Sequence, residues 1–195
     1  IIGNPAIDNI INTPEISMKE LSQSLCFELE AKQYILVIKH PIISEVEHED
    51  KNMELILNTL AKTGMQVVIN SPNSDAGNHR ISNVIQSFVT KHPQFHAFKN
   101  LNRLAYVNLM RNARVLVGNS SSGLLEAPSL KLAAINVGNR QKGRVHAANV
   151  QFVNHNENEI LQALEKVLHD NAYQQILALG KNPYGDGNST DKVIQ

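Results

Sequence analysis

Apolar positions along the chain fall into two alternating rhythms. Short continuous runs, many of them rich in β-branched residues, stand at Tyr34–Lys39, Met65–Asn70, Phe95–Lys99, Arg114–Val117, Ala133–Val137 and Val150–Val153. Unbroken apolar runs of this length suit strands buried on both faces of a sheet. Between them, apolar residues recur at helical spacing. Met53, Ile56, Leu57 and Leu60 do so within Glu45–Thr63, Ile81, Val84, Ile85 and Phe88 within Arg80–Lys91, and Ile160, Leu161, Leu164, Val167 and Leu168 within Asn156–His169. Further helices are expected at Glu15–Glu30, Arg103–Asn112 and Asn171–Leu179. Ser17 followed by Glu20 is a capping-box pattern. The acidic start of Glu45–Thr63 suits the helix dipole, and Gly64 suits its end. Ile1–Asn12 is a mixed apolar segment, and the Gly-, Asn- and Pro-rich stretch from Pro183 to Thr190 reads as a loop before a last short helix. Strand and helix alternate almost throughout. The chain is therefore expected to be α/β, a doubly wound parallel sheet covered on both faces, with ligands at the carboxyl ends of the strands.

One stretch carries more than packing information: Arg114 to Arg144, RVLVGNSSSGLLEAPSLKLAAINVGNRQKGR. The strand ends at Gly118-Asn119. Ser120, Ser121, Ser122 and Gly123 follow, and then Leu124 and Leu125 open a helix. Strand, small-residue turn and helix start form the order that aims backbone N–H groups at an anion. Gly123 permits close backbone approach, and the serines add hydroxyls that can donate to phosphate. Glu126 shares a helix face with Ser122, and a carboxylate there can accept two sugar hydroxyls, as in dinucleotide folds. Pro128 keeps this helix short or kinked. The next strand leads to a basic, Gly-rich loop, Gly138 to Arg144, in which Arg140 and Arg144 could grip phosphate bidentately. The same spacing also fits a Ser-rich N-cap on an ordinary βα unit followed by a solvated basic loop.

Candidate chemistry appears at other strand ends. His40 precedes Pro41, which holds its backbone extended, and can donate to a leaving phosphate or carry a proton. Asn73 and Asp75 are turn formers. The remaining histidines, His48, His79, His92, His96, His146, His155 and His169, show no helix-face metal spacing, so no metal site and no cofactor are expected.

Bulk properties remove several function classes. The 195 residues suffice for one domain with a proper core. Lys and Arg total 18, as do Asp and Glu, so no basic field favours nucleic acid. The single cysteine, Cys26, excludes a disulfide framework and is expected in the core. No apolar run approaches the length of a membrane span and no signal peptide is visible, so the expected compartment is the cytoplasm.

VGNSSSGLLEAPSL followed by INVGNRQKGR resembles the UDP-N-acetylglucosamine 2-epimerases, most closely the hydrolysing branch that feeds sialic-acid-type sugar synthesis. GNPAIDN at Gly3–Asn9, ILVIKHP at Ile35–Pro41, SPNSDAG at Ser71–Gly77 and the tail NPYGDGNSTDKV agree in order, so the resemblance covers nearly the whole chain. It implies a Rossmann-like domain, the C-terminal half of a glycosyltransferase-B-type enzyme. Residues 1–14 would be the segment where the chain enters that half, and 183–195 its tail. It implies UDP and a UDP-N-acetylhexosamine as ligands and a homo-oligomeric full-length enzyme. Among site residues it implies His40 in catalysis, and Asn73, Ser120, Ser121, Ser122, Gly123, Glu126 and Arg140 in substrate binding, with Arg144 a second candidate cation. The family's acid–base carboxylates would lie in the other half, so the isolated chain is expected to be inactive. A UDP-sugar glycosyltransferase of the same fold and a non-catalytic nucleotide-binding module are the alternatives. The choice between N-acetylglucosamine and a diacetamido-trideoxy sugar stays open.

Overall fold

The computed structural model describes residues 2–194. Six parallel strands form one sheet: β1 (Tyr34–Ile38), β2 (Gln66–Asn70), β3 (Phe95–Phe98), β4 (Val115–Gly118), β5 (Ala133–Val137) and β6 (Val150–Val153). Their order is β3-β2-β1-β4-β5-β6. Between β1 and β4 the winding reverses, and a crevice opens outside the strand ends at such a reversal. The register there pairs Ile35 with Val115 and Ile38 with Gly118.

Side chains along each strand alternate between two cores. Ile35 and Val37 point into a cluster with Met53, Ile56, Leu57 and Leu60 of α3 (Glu49–Ala61), Ile81, Ile85 and Phe88 of α4 (Asn78–Lys91), and Ile160, Leu164 and Val167 of α7 (Glu157–His169). Tyr34, Leu36 and Ile38 point the other way, onto Leu21 and Leu25 of α2 (Met18–Leu25), Leu109 and Met110 of α5 (Arg103–Asn112), and Leu124 of the four-residue α6 (Ser122–Leu125). Both faces of the sheet are thus covered, as the continuous apolar runs require.

Local chemistry sets the helix ends. Ser17 and Glu20 form the expected capping box, and Asn102 and Asn156 cap α5 and α7 with their side-chain oxygens. Four expectations need correction. The helix expected at Glu15–Glu30 spans only Met18–Leu25, because Cys26 takes a left-handed conformation with φ 62° and its N–H closes the last turn. Cys26 is exposed at this cap and not in the core. Glu45–Thr63 is divided into a 3-10 turn, Ile43–His48, followed by α3. Residues 5–12, which have no clear period, form helix α1 (Pro5–Asn12), capped by Asn4 and started by Pro5.

Helix α8 (Asn171–Leu179) follows α7; helix α1 packs against α9 (Ser189–Ile194), and buried Asp8 ties α1 to α9. It accepts the N–H of Ser189 at 3.1 Å, the N–H of Thr190 at 2.8 Å and the Thr190 hydroxyl at 3.0 Å. The opening segment and the tail of the chain are therefore joined on one side of the domain.

Candidate functional site

The crevice between β1 and β4 is built around Asn119, which is fully buried. Its side chain accepts the His40 N–H at 2.8 Å and donates to the His40 carbonyl at 2.9 Å. Its carbonyl accepts Arg140 at 3.2 Å and the buried side chain of Gln141 at 2.9 Å. One residue thus joins the ends of β1 and β4 to the loop after β5. Sequence reasoning treats Asn119 only as the end of a strand. The available signal is a polar amide in VGN, directly after a buried run, where a small residue would suffice for a turn.

Two glycines divide the work of the loop differently from the sequence expectation. Gly118 has φ 140°, and a Cβ there would lie 2.1 Å from the Ile38 carbonyl oxygen, so β4 can end beside β1 only with glycine. Gly123 lies inside α6. A Cβ on it would come within 3.2 Å of the Ala134 Cβ, so its smallness serves helix-on-strand packing.

The serines adjoin Tyr106, which sequence reasoning leaves on an ordinary helix. Its hydroxyl lies 2.9 Å from Ser122 Oγ and donates to Glu126 Oε2 at 3.3 Å. Ser120 Oγ, itself buried, donates to Ser122 Oγ at 3.3 Å and accepts the Ser122 N–H at 3.3 Å. Burial and the Glu126 carboxylate both raise the pKa of the Tyr106 phenol, so it stays a neutral donor. Glu126 is half-buried and held by its neighbour's hydroxyl.

Tyr106 also lines a cleft of about 760 Å³ with His40, Asn70–Ser74, His79, Asn83 and Lys99–Leu101. These residues sit at the carboxyl ends of β1, β2 and β3 and at the start of α4. In the cleft, the Asn73 N–H donates to His40 Nδ1 at 3.2 Å, and the Asn73 side chain donates to Asp75 at 2.5 Å. An accepting Nδ1 leaves the proton on Nε2. Burial is the largest cause holding the His40 pKa below its usual value, and the Arg140 charge adds to it.

His40, Asn73, the three serines, Glu126 and Arg140 therefore gather along one sheet edge. Arg144 stands one residue further out, reaching Asn119 only through Gln141. Its guanidinium donates to Gln141 Oε1 at 2.7 Å, and it lines a separate cavity of about 370 Å³ with Lys142, His146 and Phe152.

A family model described as UDP-N-acetylglucosamine 2-epimerase matches residues 1–195. The chain belongs to this epimerase family. It is 31% identical over 194 residues to the UDP-N,N'-diacetylbacillosamine 2-epimerase (hydrolyzing) of Legionella pneumophila, covering 100% of this chain and 50% of that protein. Among solved structures, it resembles the UDP-GlcNAc 2-epimerase from Neisseria meningitidis bound to UDP-GlcNAc, with TM-score 0.75 and 23% identity, over 98% of this chain and 52% of that one. It resembles the S. aureus MnaA-UDP co-structure with TM-score 0.74 and 18% identity, over 100% and 51% respectively. The chain thus spans about half the length of these epimerases. The sheet order and the two-sided helix cover are those of the doubly wound fold that the epimerase resemblance implies.

Proposed function

We propose that this chain is the UDP-binding half of a hydrolysing UDP-N-acetylhexosamine 2-epimerase. The observation that carries the reading is the meeting of His40, Arg140 and the serine loop around Asn119, beside the Tyr106–Glu126 pair, at the sheet reversal. Phosphate needs cations and neutral donors, and ribose needs a paired acceptor. The crevice offers both within a short reach, and family membership supports the same ligands.

In this reading Ser120, Ser121 and Ser122 and the loop backbone receive the diphosphate, Arg140 balances its charge, and Glu126 accepts the ribose hydroxyls. Asn73 contributes to the wall of the cleft. The reaction breaks the C1–O bond to UDP while a base removes the C2 proton, giving a 2-acetamidoglucal. Water then adds across the double bond, its hydroxyl going to C1 and a proton to the other face of C2, and N-acetylmannosamine or its diacetamido counterpart results. The residues of this chain serve the departure of UDP. Neutral His40 donates from Nε2 to the leaving diphosphate, and Arg140 offsets the negative charge that develops there. The C2 base belongs to the other half of a two-domain enzyme, so this chain alone binds UDP without turnover.

Calorimetric titration of the chain with UDP, uridine and ADP tests the reading. UDP should bind more tightly than both others. Equal affinity for UDP and ADP would remove the uridine assignment, and no binding of either would remove the site.

A further inference from the structure

A buried ion pair lies beneath the segment that carries His40. Lys39 directly follows β1, and its Nζ pairs with Oε2 of Glu49, the first residue of α3; both side chains are shut off from solvent. The other oxygen, Oε1, accepts the Ile42 N–H at 2.7 Å. One carboxylate therefore ties the residue before His40 to the residue two beyond it. From the opposite side Asn119 holds the N–H and the carbonyl of His40 itself. Pro41 between them has no N–H to satisfy. The short path from β1 into the cleft is thus gripped by two side chains, one from α3 and one from the end of β4.

Stability alone is a poor reason for this pair. Taking both charges out of water costs more than a surface pair ever recovers, and well-packed apolar replacements of such pairs are often neutral or stabilising. Glu49 reaches none of the cleft's lining residues directly except through the backbone of this segment. Its position at the start of a helix, inside an acidic run, reads in the sequence as dipole compensation, which a fully buried residue paired with Lys39 does not primarily provide.

We propose that Glu49, paired with Lys39, is a positioning residue that fixes the backbone on either side of His40 and so aims its imidazole at the diphosphate. The proposal rests on His40 as a phosphate ligand. A mutant cycle on UDP affinity separates the two claims, with thermal melting as the control for folding. The variants are His40→Ala, the apolar pair Lys39→Met/Glu49→Leu, and the combination of all three. Glu49→Asp, which shortens the carboxylate's reach while keeping its charge, is read in the same cycle as a second route in case the apolar pair does not fold.

The expected result has His40→Ala and the apolar pair each weakening UDP about tenfold, the scale of one hydrogen bond to a charged group. The combination should be no weaker than either, because coupled residues fail to add. The apolar pair should still melt cooperatively within several degrees of the wild type, the relief of desolvating two charges being set against the Ile42 N–H left without its acceptor. Wild-type UDP affinity in the apolar pair or in Glu49→Asp overturns the positioning role and leaves the reading of His40 standing. So do losses that multiply in the combination, which would mean that Glu49 acts independently of His40. Wild-type affinity in His40→Ala removes His40 as a ligand, and the positioning role falls with it.

Discussion

The Asn73 N–H points at Nδ1 of His40 from 3.2 Å. That contact gives His40 a fixed tautomer with its proton on Nε2, while burial and Arg140 keep the ring from taking a second proton. The imidazole is thereby a neutral donor near pH 7. His40→Ala should weaken UDP by about tenfold, or ~1.4 kcal/mol, and leave uridine unchanged, because the lost donor faces phosphate. Parallel titrations of the two ligands check this, and an equal loss for both would place His40 at the nucleoside.

The Tyr106 hydroxyl joins Ser122 to Glu126. Tyr106→Phe keeps the ring in the cleft wall and removes only this link. A single buried hydrogen bond contributes roughly 0.5–1.5 kcal/mol, so UDP affinity should drop about three- to tenfold with little change in melting temperature. Unchanged affinity in a calorimetric titration would mean that Glu126 and Ser122 are ordered without the tyrosine.

Glu126→Gln separates a sugar ligand from a helix-terminal charge. UDP affinity should fall about tenfold, ~1.4 kcal/mol, and 2′-deoxy-UDP affinity much less. Parallel losses for the two nucleotides would deny Glu126 the ribose. A charge that acts only on the helix dipole is worth about 0.3–1 kcal/mol, and its removal would leave UDP binding equal or improved.

Gly118→Ala should be far more damaging than Gly123→Ala. At Gly118 both the positive φ and the Ile38 carbonyl oppose a side chain, and the loss of stability should be at least about 2–3 kcal/mol, the scale of stored backbone strain plus a core clash. At Gly123 only a methyl-to-methyl contact must give by a few tenths of an ångström. Urea melts of both variants compare them, and a Gly118→Ala protein as stable as the wild type would contradict the close approach of β1 and β4.

Acid should destabilise the fold in two separate windows. Burial is the first cause holding His40, His96 and His155 below their ordinary value of 6.5. Below about that pH the unfolded chain takes up protons that the folded chain refuses, so stability is level above it and falls as the pH drops through it. At Asp8, burial pulls the pKa up, but hydrogen bonds from Thr190 and Ser189 outweigh it and lower the carboxyl from 3.8 to about 2. Its contribution is complete above 3.8 and is lost only between there and about 2. Melting temperatures should therefore be flat from pH 8 to 7 and decline toward pH 5. Asp8→Ala should lower them by roughly 2–4 °C at pH 7. A melting temperature that rises from pH 7 to 5 would contradict the half-buried neutral histidines.

Strand positions, the parallel sheet and its two-sided cover were determined by the sequence itself, because apolar runs and helical periods are local properties that any parallel arrangement must satisfy. The same local pattern puts His40, Asn73, the serines and Arg140 after strand ends, and the family resemblance singles them out, together with Glu126 one turn further on, as site residues. Helix α1 escaped because its residues have no clear period, and its support comes from α9 at the far end of the chain. Cys26 lies outside the core because its cap conformation, not its hydrophobicity, fixes its place. What only the tertiary structure decided is which strand ends meet. His40 and Asn119 lie 79 positions apart and touch because β1 and β4 become neighbours at the reversal of the winding. Tyr106 reaches Ser122 across a helix-to-strand crossover, and Glu49 turns from a helix-start charge into the partner of Lys39 through burial. Hydrogen bonds and desolvation depend on distance in space, and separation along the chain does not encode that distance.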